Sequence, residues 1–512
     1  MRLLTADQMR AADAAGAARA GETALMRAAG SALAEAIERV APHADRLVAF
    51  AGPGNNGGDA YAAFSALKRD CDRIVYALPS PKMSDGRRDA EERAAKRGVK
   101  TRPFPKNAGE AAAALEGADL ALDAILGTGA RPELSPEMRV VAAALNACAA
   151  HVLAVDLPTG IDATSGAAGE GAVRAHTTVA LGAVKVGLVL EPARAFVGTL
   201  YAGDIGLRDE IAAVSGELVN ALVDDEFAAL LPPRGAEADK RSSGAPLIVA
   251  GSVQFPGAAV LCARGAARAG AGYVTVATTS DAAQTLRTHL VEQVVITYDE
   301  RDVDGAIESL LDMTRRQNAV GIGPGLALSD ATGAIVRGFL EALERPFVAD
   351  AGAFFHLGKH LDVLAGKTCL ITPHATEFGR LSGEGTIAPG TRVERLRAFV
   401  TRTGITTLLK GNATLIDDGH ALHVNVTGTN ALATAGTGDV LTGIIATLLA
   451  QGLSPLDAGR VGAYWHGLAG RHAARERRIG VVAGDVYDAL GAALPERSPS
   501  GASRLTLVSA AA

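Results

Sequence analysis

Short apolar runs that end in Gly, Asp, Asn or Pro turns and give way to helical patterns recur along the chain. This rhythm restricts the fold to parallel sheets covered by helices. In the first half the runs are Leu47–Ala51, Arg73–Leu78, Leu120–Ile125 and Val152–Asp156, with helical patterns such as Ala60–Lys68 and Met138–Ala149 between them. Residues 1–45 read as helical, because Met9, Ala12, Leu25, Met26, Ala29 and Leu33 fit helical spacing. In the second half, strands are predicted at Leu247–Ala250, Val274–Ala277, Ala319–Ile322, Phe347–Asp350, Thr368–Thr372 and Thr407–Lys410.

A chain of 512 residues is too long for one ordinary core. A polar Pro/Gly-containing stretch over 215–245, with Asp224-Asp225-Glu226 and Pro232-Pro233, reads as the connector. The expected division is 1–218, 219–500 and a frayed tail over 501–512. A net charge of −6 without a basic run argues against nucleic acid. Cys71, Cys148, Cys262 and Cys369 are scattered without a CxxC pair, which suits reduced packing residues of a cytosolic protein. The N-terminus lacks a signal-peptide core, and no apolar stretch is long enough to span a bilayer, so a cytoplasmic location without membrane partners is expected.

Gly52-Pro53-Gly54-Asn55-Asn56-Gly57-Gly58-Asp59 follows a strand and opens a helix. It satisfies GxGxxG, so a dinucleotide loop comes first to mind. A dehydrogenase would need an acid after the second strand, where Pro79-Ser80-Pro81-Lys82 stands instead. Asp123 near Gly127-Thr128-Gly129, and Asp156 before Pro158-Thr159-Gly160, lie at further strand ends, which converge on the ligand crevice of an open α/β sheet. Asn56, Asp123 and Thr159 together offer hard oxygen ligands to a cation, leaving Asp156 free to touch substrate. Turn capping is the alternative for each acid alone.

These motifs, with Ala24-Leu25-Met26-Arg27-Ala28-Ala29-Gly30, resemble the NAD(P)H-hydrate epimerase family over roughly the first two hundred residues. The resemblance implies a Rossmann-like three-layer domain that interconverts the C6 epimers of hydrated NADH or NADPH. It also implies potassium held by Asn56, Asp123 and Thr159. Substrate contacts carried over are Asn55, Asn56, Gly57, Gly58, Asp59, Gly127, Thr128, Gly129, Ala130, Arg131, Pro132, Glu133 and Asp156, with Asp156 as the catalytic acid. The family usually has Ser where Thr159 stands.

Gly436-Thr437-Gly438-Asp439 opens the apolar run Val440–Ala446. A Gly-rich turn at a helix start aims free N–H groups at one point and adds the positive end of the helix dipole, so it forms an anion hole. Asp439 either caps that helix or handles a substrate hydroxyl beside bound phosphate. Gly251-Ser252, Gly323-Pro324-Gly325, Thr372-Pro373-His374 and Lys410-Gly411 end other strands. No GxxxxGK[ST] is present.

Residues 225–495 resemble the ADP-dependent NAD(P)H-hydrate dehydratase family, a branch of the ribokinase-like fold. The resemblance implies that Ala258, Gly325, His374 and Asp439 bind the hydrated nucleotide. Lys410, Gly411, Asn412, Ala413, Thr414 and Gly438 would bind ADP, with magnesium expected beside it. The family's second acid in Asp-Ala-Asp is Gly352 here, and its His-Lys-Gly is replaced by Asp239–Gly244. The chemistry implied is phosphorylation of the C6 hydroxyl, whose proton Asp439 accepts, followed by expulsion of phosphate by the ring nitrogen. The helix start should keep Asp439 ionised. The competing readings are a ribokinase-like vitamin-precursor kinase and an idle ligand-binding first domain, with a dehydrogenase third. Domains of both kinds often assemble, so a homo-oligomer is expected.

Overall fold

The computed structural model describes residues 1–80, 82–129, 132–495 and 503–510. They form two compact units, divided after Asn220, with the C-terminal residues joining the first.

The sheet of the first unit runs, in spatial order, Leu505–Ser509, Thr199–Gly203, Thr177–Leu181, His151–Val155, Leu120–Ala124, Arg46–Ala51, Asp72–Ala77 and Lys100–Pro103. All pairings are parallel except that of Leu505–Ser509. Strand Arg46–Ala51 shows why it is a sheet buried on both faces. Leu47, Ala49 and Ala51 join the core under the N-terminal helices, whereas Val48 and Phe50 join the core on the other side. Helices Ala6–Ala20, capped reciprocally by Thr5 and Gln8, and Glu22–Val40 cover the first face.

Two expectations are corrected. Residues 1–45 are not helical throughout, since Arg2–Leu3 pairs antiparallel with Val219–Asn220. The described part of the expected tail is not frayed: Leu505 and Val508 are buried, and the segment fills the sheet edge beside Thr199–Gly203. Its pairing partner lies some three hundred positions back, so no local pattern marks it.

In the second unit the strands lie in the order Leu422–Val424, Leu415–Asp417, Thr406–Leu409, Cys369–Ile371, Phe347–Ala349, Ala319–Ile322, Pro246–Val249, Thr275–Thr279 and Val294–Tyr298. The ladder is parallel from Thr406–Leu409 to Val294–Tyr298, and the two remaining strands form an antiparallel meander. The parallel strands therefore deliver their C-terminal turns to one edge. Helix Thr437–Ala450 packs so closely on Pro256–Arg268 that a Cβ on Gly443 would lie 2.0 Å from the Cys262 carbonyl oxygen. Within the expected connector, Asp224–Leu230 is helical and buries Phe227 against Tyr464 and Trp465. Among the described residues no helix is long and apolar enough to cross a membrane.

Candidate active sites

In the first unit, helix Asn55–Ala66 starts from the turn after strand Arg46–Ala51. Gly52 and Gly57 are required by close packing. A Cβ on Gly52 would lie 1.8 Å from the Ile125 carbonyl oxygen, and one on Gly57 would lie 2.2 Å from the Gly52 carbonyl oxygen. Gly58 is likewise packed, against Met26 and Arg87, whereas Gly54 faces open space. The turn is held from behind by Arg87, which is buried and donates to the carbonyls of Gly52 and Gly54, each at 2.7 Å. In the place where a dehydrogenase would keep an acid, Ser80 donates its hydroxyl proton to the Pro53 carbonyl at 2.7 Å.

A cleft of about 600 Å³ opens over this turn, with Asp13, Asn55, Asn56, Asp59, Thr128, Asp156 and Lys185 in its walls. Gly127 and Gly129 also line it. Glu133 is exposed, and Ala130 and Arg131 lie outside the described residues. Asp156 lines the cleft, and both oxygens of its carboxylate are engaged. It has a positive φ of 70° and accepts from Thr128 N (3.1 Å), Thr128 Oγ1 (2.6 Å), Leu181 N (3.2 Å) and the Lys185 ammonium. Burial opposes its charge, but Lys185 and the other donors outweigh burial and hold the carboxyl below its ordinary range. Lys185 is only 1 % exposed and also donates to the Leu181 carbonyl at 2.9 Å.

Asp59 and Asp13 differ from Asp156 in having no hydrogen-bond partner among the described residues. Burial first, then the charges of Asp156 and Asp13, push Asp59 well above the carboxylate range. Burial raises Asp13 to about 6 against the pull of Lys185.

Of the three expected cation ligands Asn56 lines the cleft, whereas Asp123 and Thr159 are buried outside its lining. Asp123 is fully buried and accepts from Thr159 N (2.7 Å) and Thr159 Oγ1 (2.6 Å). Thr159 Oγ1 in turn accepts from Leu126 N at 3.1 Å, and Asn56 Nδ2 donates to the Leu126 carbonyl at 3.0 Å. Asn56 Oδ1 is buried without a partner, and Asp123 makes no ion pair among the described residues. A buried carboxylate, an orphaned amide oxygen and a hydroxyl are donors that suit a hard cation.

In the second unit, backbone hydrogen bonds from Gly251 to Pro324 O (2.8 Å), Gly323 to Val249 O (3.1 Å) and Lys410 to Pro373 O (2.9 Å) tie the strand-end turns together. Gly325, at φ 67°, lets its turn approach Ala258, whose Cβ would be 2.8 Å from an added Cβ. Asp350, which sequence reasoning left out of the site, is the hub: it accepts from Lys410 Nζ (2.7 Å) and from Thr442 Oγ1 (2.8 Å). Gly438 abuts this pair, since a Cβ there would lie 3.4 Å from Lys410 Nζ. Burial opposes the Lys410 charge, but Asp350, Glu377 and Asp439 raise its pKa nonetheless. Gly352, which replaces the family's second acid, has its carbonyl neighbour Gly323 only 2.8 Å from any added Cβ.

Gly436, at φ 88°, begins helix Thr437–Ala450. The first bond into that helix is Val440 N to the Gly436 carbonyl (3.2 Å), which leaves the amides of Thr437, Gly438 and Asp439 without a partner among the described residues. Asp439 has no hydrogen-bond partner among the described residues. Against the helix start, which favours its charge, burial, reinforced by Asp350 and opposed by Lys410, pushes its pKa up to about 7.

The Lys410–Thr414 turn is clamped by Arg392, which donates to the carbonyls of Leu409 (3.2 Å), Lys410 (3.0 Å) and Ala413 (3.2 Å). Ala413 and Thr414 are buried, and the Thr414 hydroxyl closes the turn on the Gly411 carbonyl at 2.8 Å. The Asn412 carbonyl oxygen would lie 2.2 Å from a Cβ on Gly428. His374 caps helix Ala375–Ser382, accepting from Thr376 N and Glu377 N, with its ring half exposed at the same sheet edge.

Residues 246–491 match the family model described as NAD(P)H-hydrate dehydratase, and residues 22–187 match the YjeF-related protein N-terminus. A bifunctional NAD(P)H-hydrate repair enzyme of Moorella thermoacetica is 36% identical over 489 residues, covering 91% of this chain and 91% of its own. One from Mycobacterium tuberculosis is 35% identical, with 87% of this chain and 89% of its own covered. An ADP/ATP-dependent NAD(P)H-hydrate dehydratase of Bacillus subtilis, co-crystallised with ATP and Mg²⁺, is 28% identical, covers 54% of this chain and 97% of its own, and superposes with a TM-score of 0.45.

Proposed function

Because the chain belongs to the family of bifunctional NAD(P)H-hydrate repair enzymes, which pair an epimerase with an ADP/ATP-dependent dehydratase, we propose how each site carries its share of the work. The observation that carries the dehydratase assignment is Asp439. Among the described residues it is an acid without a hydrogen-bond partner, next to three unpaired amides and facing the Lys410–Asp350 pair.

The hydrate carries a hydroxyl at C6 of the nicotinamide ring. Asp439 takes the hydroxyl proton as that oxygen attacks the terminal phosphoryl group of ADP, and AMP leaves. The amides of Thr437, Gly438 and Asp439 hold the transferring phosphoryl oxygens, and the Lys410 ammonium adds positive charge beside them. The ring nitrogen's lone pair then breaks the C6–O bond and releases phosphate, and loss of a C5 proton restores the reduced ring. Ala258, Gly325 and His374 border the hydrate, and the Lys410–Thr414 turn meets the nucleotide. Magnesium would ride on the phosphates, as it does in most phosphoryl-transfer sites. Among the described residues no group of three or more His, Cys, Asp or Glu offers it a cage of its own.

In the first unit the cleft between Asn55–Asp59, Gly127–Gly129 and Asp156 takes both epimers of the hydrate and interconverts them, so that the form the dehydratase rejects is not stranded. Asn56, Asp123 and Thr159 would hold potassium, whose charge would stabilise the buried Asp123 carboxylate and the Leu126–Gly129 turn above it.

The test is to incubate the protein with mixed epimers plus ADP or ATP and follow the recovery of reduced-nicotinamide absorbance. Full recovery from both epimers supports the reading. A stable phosphorylated product in place of recovery would instead identify a kinase.

A further inference from the structure

Four carboxylates line the cleft of the first unit, the exposed Glu22 at its wall and Asp13, Asp59 and Asp156, and of the last three only Asp156 is tied down. Asp156 spends both oxygens on four donors, one of them the buried Lys185 ammonium. Asp13, from helix Ala6–Ala20, and Asp59, from helix Asn55–Ala66, line the same cleft and accept no hydrogen bond from any described residue. A group that must give and take protons needs free lone pairs and a weakly held proton, and a saturated carboxylate has neither.

We propose that Asp13 and Asp59, and not Asp156, are the proton-exchanging pair of the epimerase. The inference rests on the epimerase reading of this cleft and deepens it.

The chemistry balances without any co-reactant. One carboxyl, Asp59, donates its proton to the C6 hydroxyl while the ring nitrogen's lone pair forms the C6–N double bond. The C6–O bond breaks and water leaves. Water then adds to the opposite face of C6, and the ionised Asp13 takes its proton, which inverts the centre. The reverse reaction uses the same two groups in exchanged roles. Asp13, which is only partly buried, then releases its proton to solvent and Asp59 takes one up, which restores the starting pair with no net proton change.

The electrostatics fit these roles. Asp59 is 9 % exposed, and burial first, then the charges of Asp156 and Asp13, raise its pKa well above the carboxylate range. Asp13 titrates at about 6, facing Lys185 and Asp156 across the cleft, with Arg10 on its own helix and Glu22 on the next in the same wall. The active form is the singly protonated pair, whose titration belongs to both groups together. Asp156 and Lys185 are positioning residues that fix the Thr128 turn and set the field at the pair.

The experiment uses the full chain with Asp13→Asn, Asp59→Asn and Asp156→Asn, measuring conversion of the R form above its spontaneous rate and, by calorimetry, binding of the R form. Asp13→Asn and Asp59→Asn should each lower kcat by ~100-fold or more, with KM and Kd within about threefold of wild type. Wild-type kcat/KM should fall as pH drops below about 6. In Asp13→Asn that acid limb should vanish, and in Asp156→Asn it should persist. Turnover within about tenfold of wild type in either of the first two variants, with binding retained, would overturn the assignment. So would an acid limb in Asp13→Asn that matches wild type. A wild-type chain that binds the hydrate and leaves its epimers unexchanged would refute the epimerase reading itself.

Discussion

The two sites use the same parts for opposite ends. Each has a strand-end turn clamped by an arginine, the glycine-rich turn by Arg87 in the first and the Lys410–Thr414 turn by Arg392 in the second. Each also contains a Lys–Asp ion pair, Lys185 with Asp156 and Lys410 with Asp350. In the second site the locked acid is Asp350, and Asp439 beside it is left without a partner. In the first site the locked acid is Asp156, the residue that a strand-end reading nominates, and the partnerless acids lie on helices. A carboxylate at a strand end is thus a good guide to where a site lies and a poor guide to which acid moves the proton. The decision is made by a lysine remote in sequence.

The largest effect expected from this contrast is at Asp439. Asp439→Asn should lower ADP-dependent dehydration by ~10²–10⁴-fold, as loss of a general base does, while epimerisation continues. Near-normal recovery of reduced-nicotinamide absorbance in that variant would erase the distinction between locked and free acids.

The locks come next. Lys185→Met and Lys410→Met each strand a buried carboxylate, and breaking such a pair costs about 3–5 kcal/mol. Denaturant unfolding of the full chain should show the loss for Lys185→Met, whose partner Asp156 accepts from three further donors. An unfolding curve unchanged by Lys185→Met would mean that Asp156 is not held by its ion pair.

A smaller effect is expected at the clamps. Arg87→Ala and Arg392→Ala remove hydrogen bonds from two and three turn carbonyls respectively, at a cost of roughly 1–3 kcal/mol each. Arg87→Ala should raise the KM for the epimers and Arg392→Ala the KM for ADP; a shift in the other substrate's KM would show that the clamps do not act locally.

The mildest expectation concerns pH. Asp439 must be ionised to accept a proton, and its pKa is raised to about 7. The fraction in the active form therefore falls as pH drops through 7, and dehydration should decline by roughly tenfold per unit well below that point. A flat profile between pH 5 and 8 would place the proton acceptor elsewhere.

Much of both sites was legible from the residues alone. The turns at Gly52–Asp59, Asp123–Gly129 and Gly436–Asp439 announce themselves, because close backbone approach and helix starts demand glycine and short polar side chains in one local run. The locks and clamps do not. Arg87 sits in a charged helix and reaches Gly52 across 35 positions, Lys410 reaches Asp350 across 60, and Thr442 reaches it across 92. Lys185 left one clue, a single cation in the apolar run Ala183–Val189, but its partner is not local. Asp13 left none, since an acid on a polar helix is ordinarily solvated. Strands such as Lys100–Pro103 and Val294–Tyr298 were missed because edge strands keep exposed residues that dilute the apolar signal.

The closing strand Leu505–Ser509 gives the chain an unusual order of assembly. Asp204 N bonds to the Arg504 carbonyl at 2.8 Å, so a sheet whose other strands are complete by Gly203 is finished by residues made some three hundred positions later. At the ~5–20 residues per second of translation, the half-built epimerase waits roughly 15–60 s on the ribosome with an open edge. In that interval the dehydratase portion emerges and can fold. Proteins trimmed before residue 505 should accordingly suffer in the unit translated first, and an excised N-terminal fragment should be more prone to aggregate than the same residues in the intact polypeptide.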